Sequence, residues 1–187
     1  RGEAAVPLML ALTLVFGLLW YLVGAGGDTP VVEGVGITLL GVVWIGMLGS
    51  YATQFLRVDD GVGILLAIIL ATVAYDVGAF FMGRSFGQRP LSAASPNKTI
   101  EGLLGGVFVA ALIGLLIGGL NLGTPFHGFG HGLLLGIVVG VAATFGDLCE
   151  SLVKRDLGVK DTGTLIPGHG GVLDRIDGLL FVLPAVY

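Results

Sequence analysis

The chain has 187 residues, of which 55% are hydrophobic and 12% are charged, and its mean hydropathy is +0.97. Soluble domains carry about 25% charged residues, so this composition excludes an ordinary water-soluble protein and indicates a membrane protein. The net charge of −4 provides no basic surface for nucleic acid, and the single cysteine, Cys149, excludes an internal disulfide framework.

Five apolar segments are long enough to cross a bilayer, whose hydrocarbon core takes about 20 helical residues to span. The short connections between these segments favour antiparallel neighbours in one bundle. We therefore predict an all-α, polytopic transmembrane helix bundle that forms a single domain over residues 1–187. The segments comprise residues 4–23, 35–56, 62–82, 103–120 and 132–153, and a sixth, partial segment begins near residue 178.

Lysine and arginine side chains are concentrated in alternate loops of this predicted bundle. The loops at 24–34, 83–102 and 154–177 lie on one side and hold seven of the nine basic residues. Cytoplasmic loops of membrane proteins are enriched in Lys and Arg. We therefore expect this side to face the cytoplasm.

Two aspartates lie inside predicted spans, near the ends that we expect at the cytoplasmic side. An ionised carboxylate in the hydrocarbon region costs about 2.5–3.5 kcal/mol, so an acid at this depth is a candidate functional residue. Asp76 precedes Arg84 by about two turns, and Asp147 precedes Lys154 by about two turns. Pairing with these bases for structural reasons alone is the alternative interpretation.

The second of these aspartates belongs to a polar stripe. Four side chains recur at positions i, i+3, i+4 and i+7 and therefore share one helix face: Asp147, Glu150, Ser151 and Lys154. The stripe predicts a polar neighbour, which the last helix would supply through Asp174 and Asp177. Opposed carboxylates repel each other unless a cation lies between them. Because carboxylate, water and phosphate oxygens are the usual ligands of Mg²⁺, the pattern predicts a divalent cation.

Two polar segments on the same side combine glycines and short side chains with basic residues: SPNKTIEG at 95–102 and GHGG at 168–171. Backbone N–H groups in such segments bind anions, and nearby Lys and Arg side chains add charge. The general enrichment of basic residues in cytoplasmic loops is the alternative, but it leaves the interspersed acids and His169 unexplained. The basic candidates for phosphate binding are Lys98, Arg155, Lys160 and Arg175.

The run GDLCESLVKRDLGVKDTGTLIPGHGGVLDRID at 146–177 closely resembles the signature of CDP-diacylglycerol synthases, also called phosphatidate cytidylyltransferases. The segments at 75–87 and 95–102 also resemble family segments, although Ile100 stands where the family often has Trp. The resemblance covers over half of the chain. Its signature positions are filled here by Ser151, Lys154, Arg155, Lys160, Asp161, His169, Gly170, Gly171, Asp174, Arg175 and Asp177.

The resemblance implies a membrane enzyme that transfers CMP from CTP to phosphatidate, which yields CDP-diacylglycerol for phospholipid synthesis and releases pyrophosphate. It implies a location in the bacterial inner membrane, with an active site open to the cytoplasm and to the bilayer. Because family members usually have further N-terminal helices, we expect a fragment equivalent to the C-terminal two-thirds of a family-type chain, with 1–187 as its catalytic domain. The glycine-rich helices are compatible with a homodimer.

The resemblance also implies roles for individual residues. Mg²⁺ is the implied cofactor, with Asp147 and Asp174 as its ligands. The role of His169 stays open between general acid, pyrophosphate hydrogen-bond donor and loop hydrogen-bonding group. The implied catalytic residues are Asp147, Asp174, Lys160, Asp161, His169 and Asp177. The implied substrate-binding residues are Ser95, Asn97, Lys98, Ser151, Lys154, Arg155, Arg175, Asp76 and Arg84.

Two other functions remain open from the sequence. A CTP-dependent polyprenol kinase would transfer the γ-phosphate to a lipid alcohol and would need His169 or Asp177 as a general base. An ion-coupled transporter would use Asp76 and Asp147 as a relay and would need no nucleotide.

Overall fold

The computed structural model describes residues 5–92, 95–120, 124–163 and 171–187. Within these ranges, the chain forms helices joined by short connections and one small hairpin. A π-helical segment, Val42–Met47, joins α2 to α3. The helices are α1 (Ala5–Leu22), α2 (Val31–Gly41), α3 (Leu48–Phe55), α4 (Gly61–Phe86), α5 (Ile100–Leu120), α6 (Phe129–Asp156) and α7 (Leu173–Val186).

Among the described residues, five continuous helical segments are long and apolar enough to cross a membrane: Ala5–Leu22, Val31–Phe55, Gly61–Phe86, Ile100–Leu120 and Phe129–Asp156. The predicted all-α, polytopic fold is therefore confirmed, and the chain is an integral membrane protein. α4 and α6 continue past their predicted ends at 82 and 153. Basic residues in their last turns explain the extension, because cations are favourable at helix C-termini.

The prediction of a polar loop over 83–102 is wrong in its middle part. Pro90–Ser92 forms β1 and Ser95–Thr99 forms β2, and the two strands pair antiparallel. Two-stranded hairpins expose both edges, where proline is tolerated, so Pro90 and Pro96 do not prevent pairing. These short polar strands lack the alternating apolar pattern by which a strand is predicted from sequence.

The chain divides into two compact units, Arg1–Ser50 and Tyr51–Tyr187. In the first unit, α1 packs on α2 and contains no buried residue. The second unit contains α4 to α7 and the hairpin. The expectation of a single domain over residues 1–187 stays a prediction.

The core of the second unit lies between its helices. Ile68 on α4, Val139 on α6 and Val182 on α7 are fully buried. One face of α5 packs into this core. The other face of α5 is apolar and exposed, with large side chains at every fourth position, as expected of a surface that faces lipid. These exposed side chains are Leu104, Phe108, Leu112, Leu116 and Leu120.

Glycines allow the backbones of α5 and α6 to touch. A Cβ atom on Gly132 would collide with the carbonyl oxygen of Gly114 and would lie 3.1 Å from the amide nitrogen of Gly118. A Cβ atom on Gly136 would collide with the backbone of Ala110. Small residues at helix crossings permit this close packing in membranes, where no hydrophobic force acts between helices. We call this row of contacts the α5–α6 glycine contact.

We predict opposite effects of the same substitution at two glycines of α6. Gly132→Ala should destabilise the protein by about 2 kcal/mol or more, because the new methyl group meets backbone that cannot move aside. Gly130→Ala meets nothing within 4 Å, and alanine is a better helix former than glycine by about 1 kcal/mol. The thermal unfolding midpoint in detergent should fall for the first variant and stay or rise for the second. Equal midpoints would contradict the close packing of α5 on α6.

Candidate active site

A close crossing of α6 and α7 brings two sets of acidic side chains together. A Cβ atom on Gly146 would lie 2.6 Å from the carbonyl oxygen of Asp177 and 2.8 Å from the Cα of Gly178. A Cβ atom on Gly178 would lie 3.3 Å from Oδ1 of Asp147. Glycine at both positions therefore lets the Asp147 carboxylate lie directly against the backbone of α7.

Asp147 is neutralised by a lysine from outside the bundle. Its Oδ2 forms an ion pair with Nζ of Lys98, which lies on β2, and the two side chains are 17% and 32% exposed. Asp147 is also within electrostatic range of Asp76 on α4 and of Asp177 on α7. The hairpin thus supplies a cation to a group of acids that come from three helices.

A second ion-pair network joins α6 to α7. Lys154 Nζ donates to Oε2 of Glu150 at 2.5 Å and to Oδ1 of Asp174 at 2.9 Å. Glu150 is 3% exposed, and its Oε1 accepts no hydrogen bond from the part of the chain that the structure describes. One lysine therefore pairs with two carboxylates, and Oε1 of the buried Glu150 has no hydrogen-bond partner among the described residues.

The Asp174 carboxylate also holds the two ends of the segment that precedes α7. Its Oδ2 accepts hydrogen bonds from the backbone N–H of Thr162 at 2.9 Å, from the Thr162 hydroxyl at 2.9 Å, and from the backbone N–H of Gly171 at 2.6 Å. Burial raises the pKa of Asp174, but Lys154 and the N–H of Gly171 outweigh it and hold that pKa below its usual range. Asp174 is therefore ionised and held in place at neutral pH.

Glu101 and Thr99 fix the hairpin that carries Lys98. Oε2 of Glu101 accepts the backbone N–H groups of Gln88 and Arg89, at 3.1 and 3.2 Å. The Thr99 hydroxyl accepts the N–H of Gly102 at 3.1 Å, which satisfies a free donor in the first turn of α5. The hairpin is thus tied to the beginning of α5 at both of its ends.

A cavity of about 680 Å³ lies between α4, the hairpin, the beginning of α5 and Asp147. Its polar lining includes five of the residues predicted from the sequence as site residues: Asp76, Arg84, Asn97, Lys98 and Asp147. The structure therefore brings together side chains that are up to 71 positions apart in the chain.

The other predicted site residues are distributed around this centre. Asp177 is buried beside α6, and Ser95 and Ser151 are half-buried. His169 lies outside the described residues, so its predicted role stays open. Four predicted residues are exposed at the end of α6, in the segment that follows it and at the beginning of α7: Arg155, Lys160, Asp161 and Arg175.

Three residues that help to build the site, Glu150, Glu101 and Thr162, were not among the site residues predicted from the sequence. Glu150 is recognisable from its place on the polar stripe with Asp147, whereas Glu101 and Thr162 act through backbone N–H groups that no sequence pattern reveals. A buried hydrogen bond of 2.7 Å between the Tyr75 and Thr144 hydroxyls further joins α4 to α6 just below Asp147.

The donor set at the α6–α7 crossing fits Mg²⁺. Among the described residues, no group of three or more His, Cys, Asp or Glu side chains could hold a metal ion by itself. Mg²⁺ does not require one, because it is commonly bound by one or two carboxylates together with water and substrate phosphates. The available oxygens are hard carboxylate ligands, and Oε1 of Glu150 is a buried acceptor without a partner.

We predict that Lys154 is essential for the stability of the α6–α7 crossing. Lys154→Gln leaves Glu150 and Asp174 without their shared cation, and breaking such a pair costs about 3–5 kcal/mol. The thermal unfolding midpoint in detergent should fall, and the double variant Lys154→Gln/Glu150→Gln should recover part of the loss. Lys160→Gln, at an exposed position, is the matched control. An equal effect of the two single variants would contradict the network.

The chain is similar to known proteins of one family. The Cytidylyltransferase family matches residues 2–187. A phosphatidate cytidylyltransferase from Helicobacter pylori strain J99 is 45% identical over 134 residues, which cover 72% of this chain and 49% of that protein. The protein of the same name from Synechocystis is 39% identical over 181 residues, or 82% of this chain and 61% of that protein.

A third relative extends over the whole chain. The phosphatidate cytidylyltransferase from Bacillus subtilis is 36% identical over 190 aligned residues, which cover 100% of this chain and 69% of that protein. The chain spans about half to two-thirds of the length of these relatives. The match over nearly all residues, including the hairpin and the α6–α7 crossing, shows that the chain belongs to the cytidylyltransferase family.

Proposed function

We propose that this chain carries the active site of a phosphatidate cytidylyltransferase, which transfers CMP from CTP to phosphatidate and releases pyrophosphate. The observation that carries the proposal is the cluster at the α6–α7 crossing, where Lys98 meets Asp147 and Lys154 meets Asp174 at one end of the helices. Family membership and the names of the relatives favour this reaction over a polyprenol kinase or an ion-coupled transporter.

The proposed reaction requires alignment of the two substrates and neutralisation of phosphate charge more than it requires proton transfer. An oxygen of the phosphatidate phosphate, already ionised at neutral pH, attacks the α-phosphorus of CTP. The bond between that phosphorus and the oxygen that bridges to the β-phosphorus breaks, and pyrophosphate leaves with the electron pair. A rigid, charged site at the membrane surface suits such a displacement, because catalysis of phosphoryl transfer is mostly positioning and electrostatic stabilisation.

The basic side chains divide into two groups in this proposal. Lys98 and Lys154 are half-buried and paired with acids, so they set the charge and position of Asp147 and Asp174. Arg155, Lys160 and Arg175 are exposed towards water and bind the triphosphate of CTP. The planar guanidinium group of arginine can donate two parallel hydrogen bonds to phosphate oxygens.

Asp147 and Asp174 would hold Mg²⁺, with Glu150 close by as a further carboxylate. When bound, the ion would neutralise charge on the triphosphate and on the departing pyrophosphate. The fixed carboxylate of Asp174 supports this assignment, because its hydrogen bonds to Thr162 and Gly171 orient it before any ligand arrives.

The proposal includes the location of the active site. All the charged groups of the cluster lie at the end of the bundle where most Lys and Arg residues occur, and this distribution favours the cytoplasmic side. CTP is a cytosolic solute, so an active site on that side has access to it. The homodimer stays a prediction.

We predict that Asp147→Asn and Asp174→Asn each lower CTP turnover at least about 100-fold, because each removes a carboxylate that would hold the Mg²⁺ ion. The assay follows transfer of label from α-labelled CTP to phosphatidate in mixed micelles with Mg²⁺. Chelation by EDTA should abolish transfer, and excess Mg²⁺ should restore it. Asp156→Asn, an exposed acid at the end of α6, is the matched control and should retain activity.

The same assay separates the other functions. Transfer of label from γ-labelled CTP to a lipid alcohol would identify a kinase, and absence of any CTP turnover by folded protein would favour transport. Size-exclusion elution of each variant as a single folded species distinguishes loss of chemistry from loss of structure. Full activity of folded Asp147→Asn or Asp174→Asn would overturn the assignment of that residue.

A further inference from the structure

The hydrogen bond between Tyr75 on α4 and Thr144 on α6 has a direction that its surroundings fix. Both residues are buried, and their hydroxyl oxygens are 2.7 Å apart. The Thr144 hydroxyl donates its single proton to the carbonyl oxygen of Gly140, also at 2.7 Å. The Thr144 oxygen can therefore only accept from Tyr75, so the Tyr75 hydroxyl is the donor.

Glycines on α5 and α6 hold the ring of Tyr75 in place. A Cβ atom on Gly106 of α5 would lie 2.7 Å from Cδ2 and Cε2 of the ring. A Cβ atom on Gly140 of α6 would lie 3.4 Å from Cδ2. The ring thus fills space that glycines on two helices leave open, and its hydroxyl is a fixed point to which Thr144 is bonded.

The Asp147 carboxylate depends on the position of the α6 backbone beside it. In the described part of the chain, Asp147 has one ion-pair partner, Lys98, whereas Asp174 also accepts backbone and hydroxyl hydrogen bonds. Thr144 precedes Asp147 by three residues, which is less than one turn of α6. Its hydrogen bond therefore fixes the helix next to a carboxylate that is otherwise held by a single side chain.

We infer that Tyr75 and Thr144 are positioning residues for the proposed reaction, because their hydrogen bond sets the place of the Asp147 carboxylate for binding of Mg²⁺. Asp76 directly follows Tyr75, so the same bond also sets the separation of the Asp76 and Asp147 carboxylates, which line one cavity. Tyr75 acts on the ion only through α6. A shift of α6 matters, since a binding group must be held within about 0.5 Å of its productive position. The inference rests on the proposed function, in which Asp147 holds Mg²⁺.

The experiment measures the binding of Mn²⁺ alone to the purified protein in detergent, by the loss of the free-ion electron paramagnetic resonance signal. Tyr75→Phe keeps the ring and removes only the hydroxyl, and its Kd for Mn²⁺ should rise about fivefold. Tyr51→Phe is the matched control and should leave the Kd unchanged, because Tyr51 contacts the ring of Tyr187 just after α7. Asp147→Asn should lose most of the binding, which identifies the site.

Thr144 provides a second, independent set of variants. Thr144→Val removes the acceptor of the hydrogen bond, so the Kd for Mn²⁺ should rise at least as much as in Tyr75→Phe. Thr144→Ser keeps the hydroxyl and should retain the original Kd. The double variant Tyr75→Phe/Thr144→Val should bind no more weakly than the weaker of the two single variants, because both remove the same bond.

The Mg²⁺ dependence of CMP transfer separates positioning from a general loss of structure. If the hydrogen bond positions Asp147, Tyr75→Phe needs about fivefold more Mg²⁺ for half-maximal activity, and saturating Mg²⁺ restores most of kcat. Loss of folded protein alone would lower kcat at every Mg²⁺ concentration and leave the half-maximal concentration unchanged.

Each outcome bears on the inference. Unchanged Mn²⁺ affinity in folded Tyr75→Phe would overturn it, as would a lower kcat without a change in the Mg²⁺ dependence. Equal weakening of Mn²⁺ binding by Tyr51→Phe would contradict it as well. Absence of Mn²⁺ binding or of CMP transfer in the unaltered protein would instead contradict the proposed function and remove the inference with it.

Discussion

The candidate site depends on the contact between the backbones of α6 and α7 at Gly146 and Gly178. Any side chain at Gly146 would push against the carbonyl group of Asp177, and any side chain at Gly178 would approach the Asp147 carboxylate. Two helices that each present acids can lie this close only if cations offset part of the repulsion between them. Lys98, from β2, and Lys154, from α6 itself, offset part of that repulsion. The site therefore depends both on the close backbone contact and on the two lysines.

This constraint explains why a chain with few charged residues concentrates them in one place. Buried carboxylates are expensive unless they are paired and hydrogen-bonded, and here they share two lysines, the N–H groups of Thr162 and Gly171, and the hydroxyl of Thr162. The hydrogen bonds are made before any substrate is present. Such a preformed arrangement is what an enzyme needs when its task is to neutralise phosphate charge rather than to transfer protons.

The helices, and the proximity of several residues of the candidate site, were predictable from the sequence for simple physical reasons. Apolar segments of sufficient length identify the spans, and the spacing of Asp147, Glu150 and Lys154 correctly places them on one face, where Lys154 meets Glu150 and Asp174. The hairpin was not predictable, because short polar strands between prolines carry no periodic signal. The pairing of Lys98 with Asp147 was also hidden, since it depends on how that hairpin folds back over α6. Glu101 was missed because its partners are backbone N–H groups, which every residue except proline possesses.

The way the hairpin is fastened has a consequence for the whole bundle. Glu101 and Thr99 tie the hairpin to α5, whereas Asp147 belongs to α6. The ion pair between Lys98 and Asp147 therefore bridges two helices, and its length is set by how far each has slid along the other. The α5–α6 glycine contact resists that sliding, because interlocked backbones have no flexible side chains to absorb a shift. Glycines about three turns or more from Asp147 along α6 thus help to set the distance between Lys98 and Asp147.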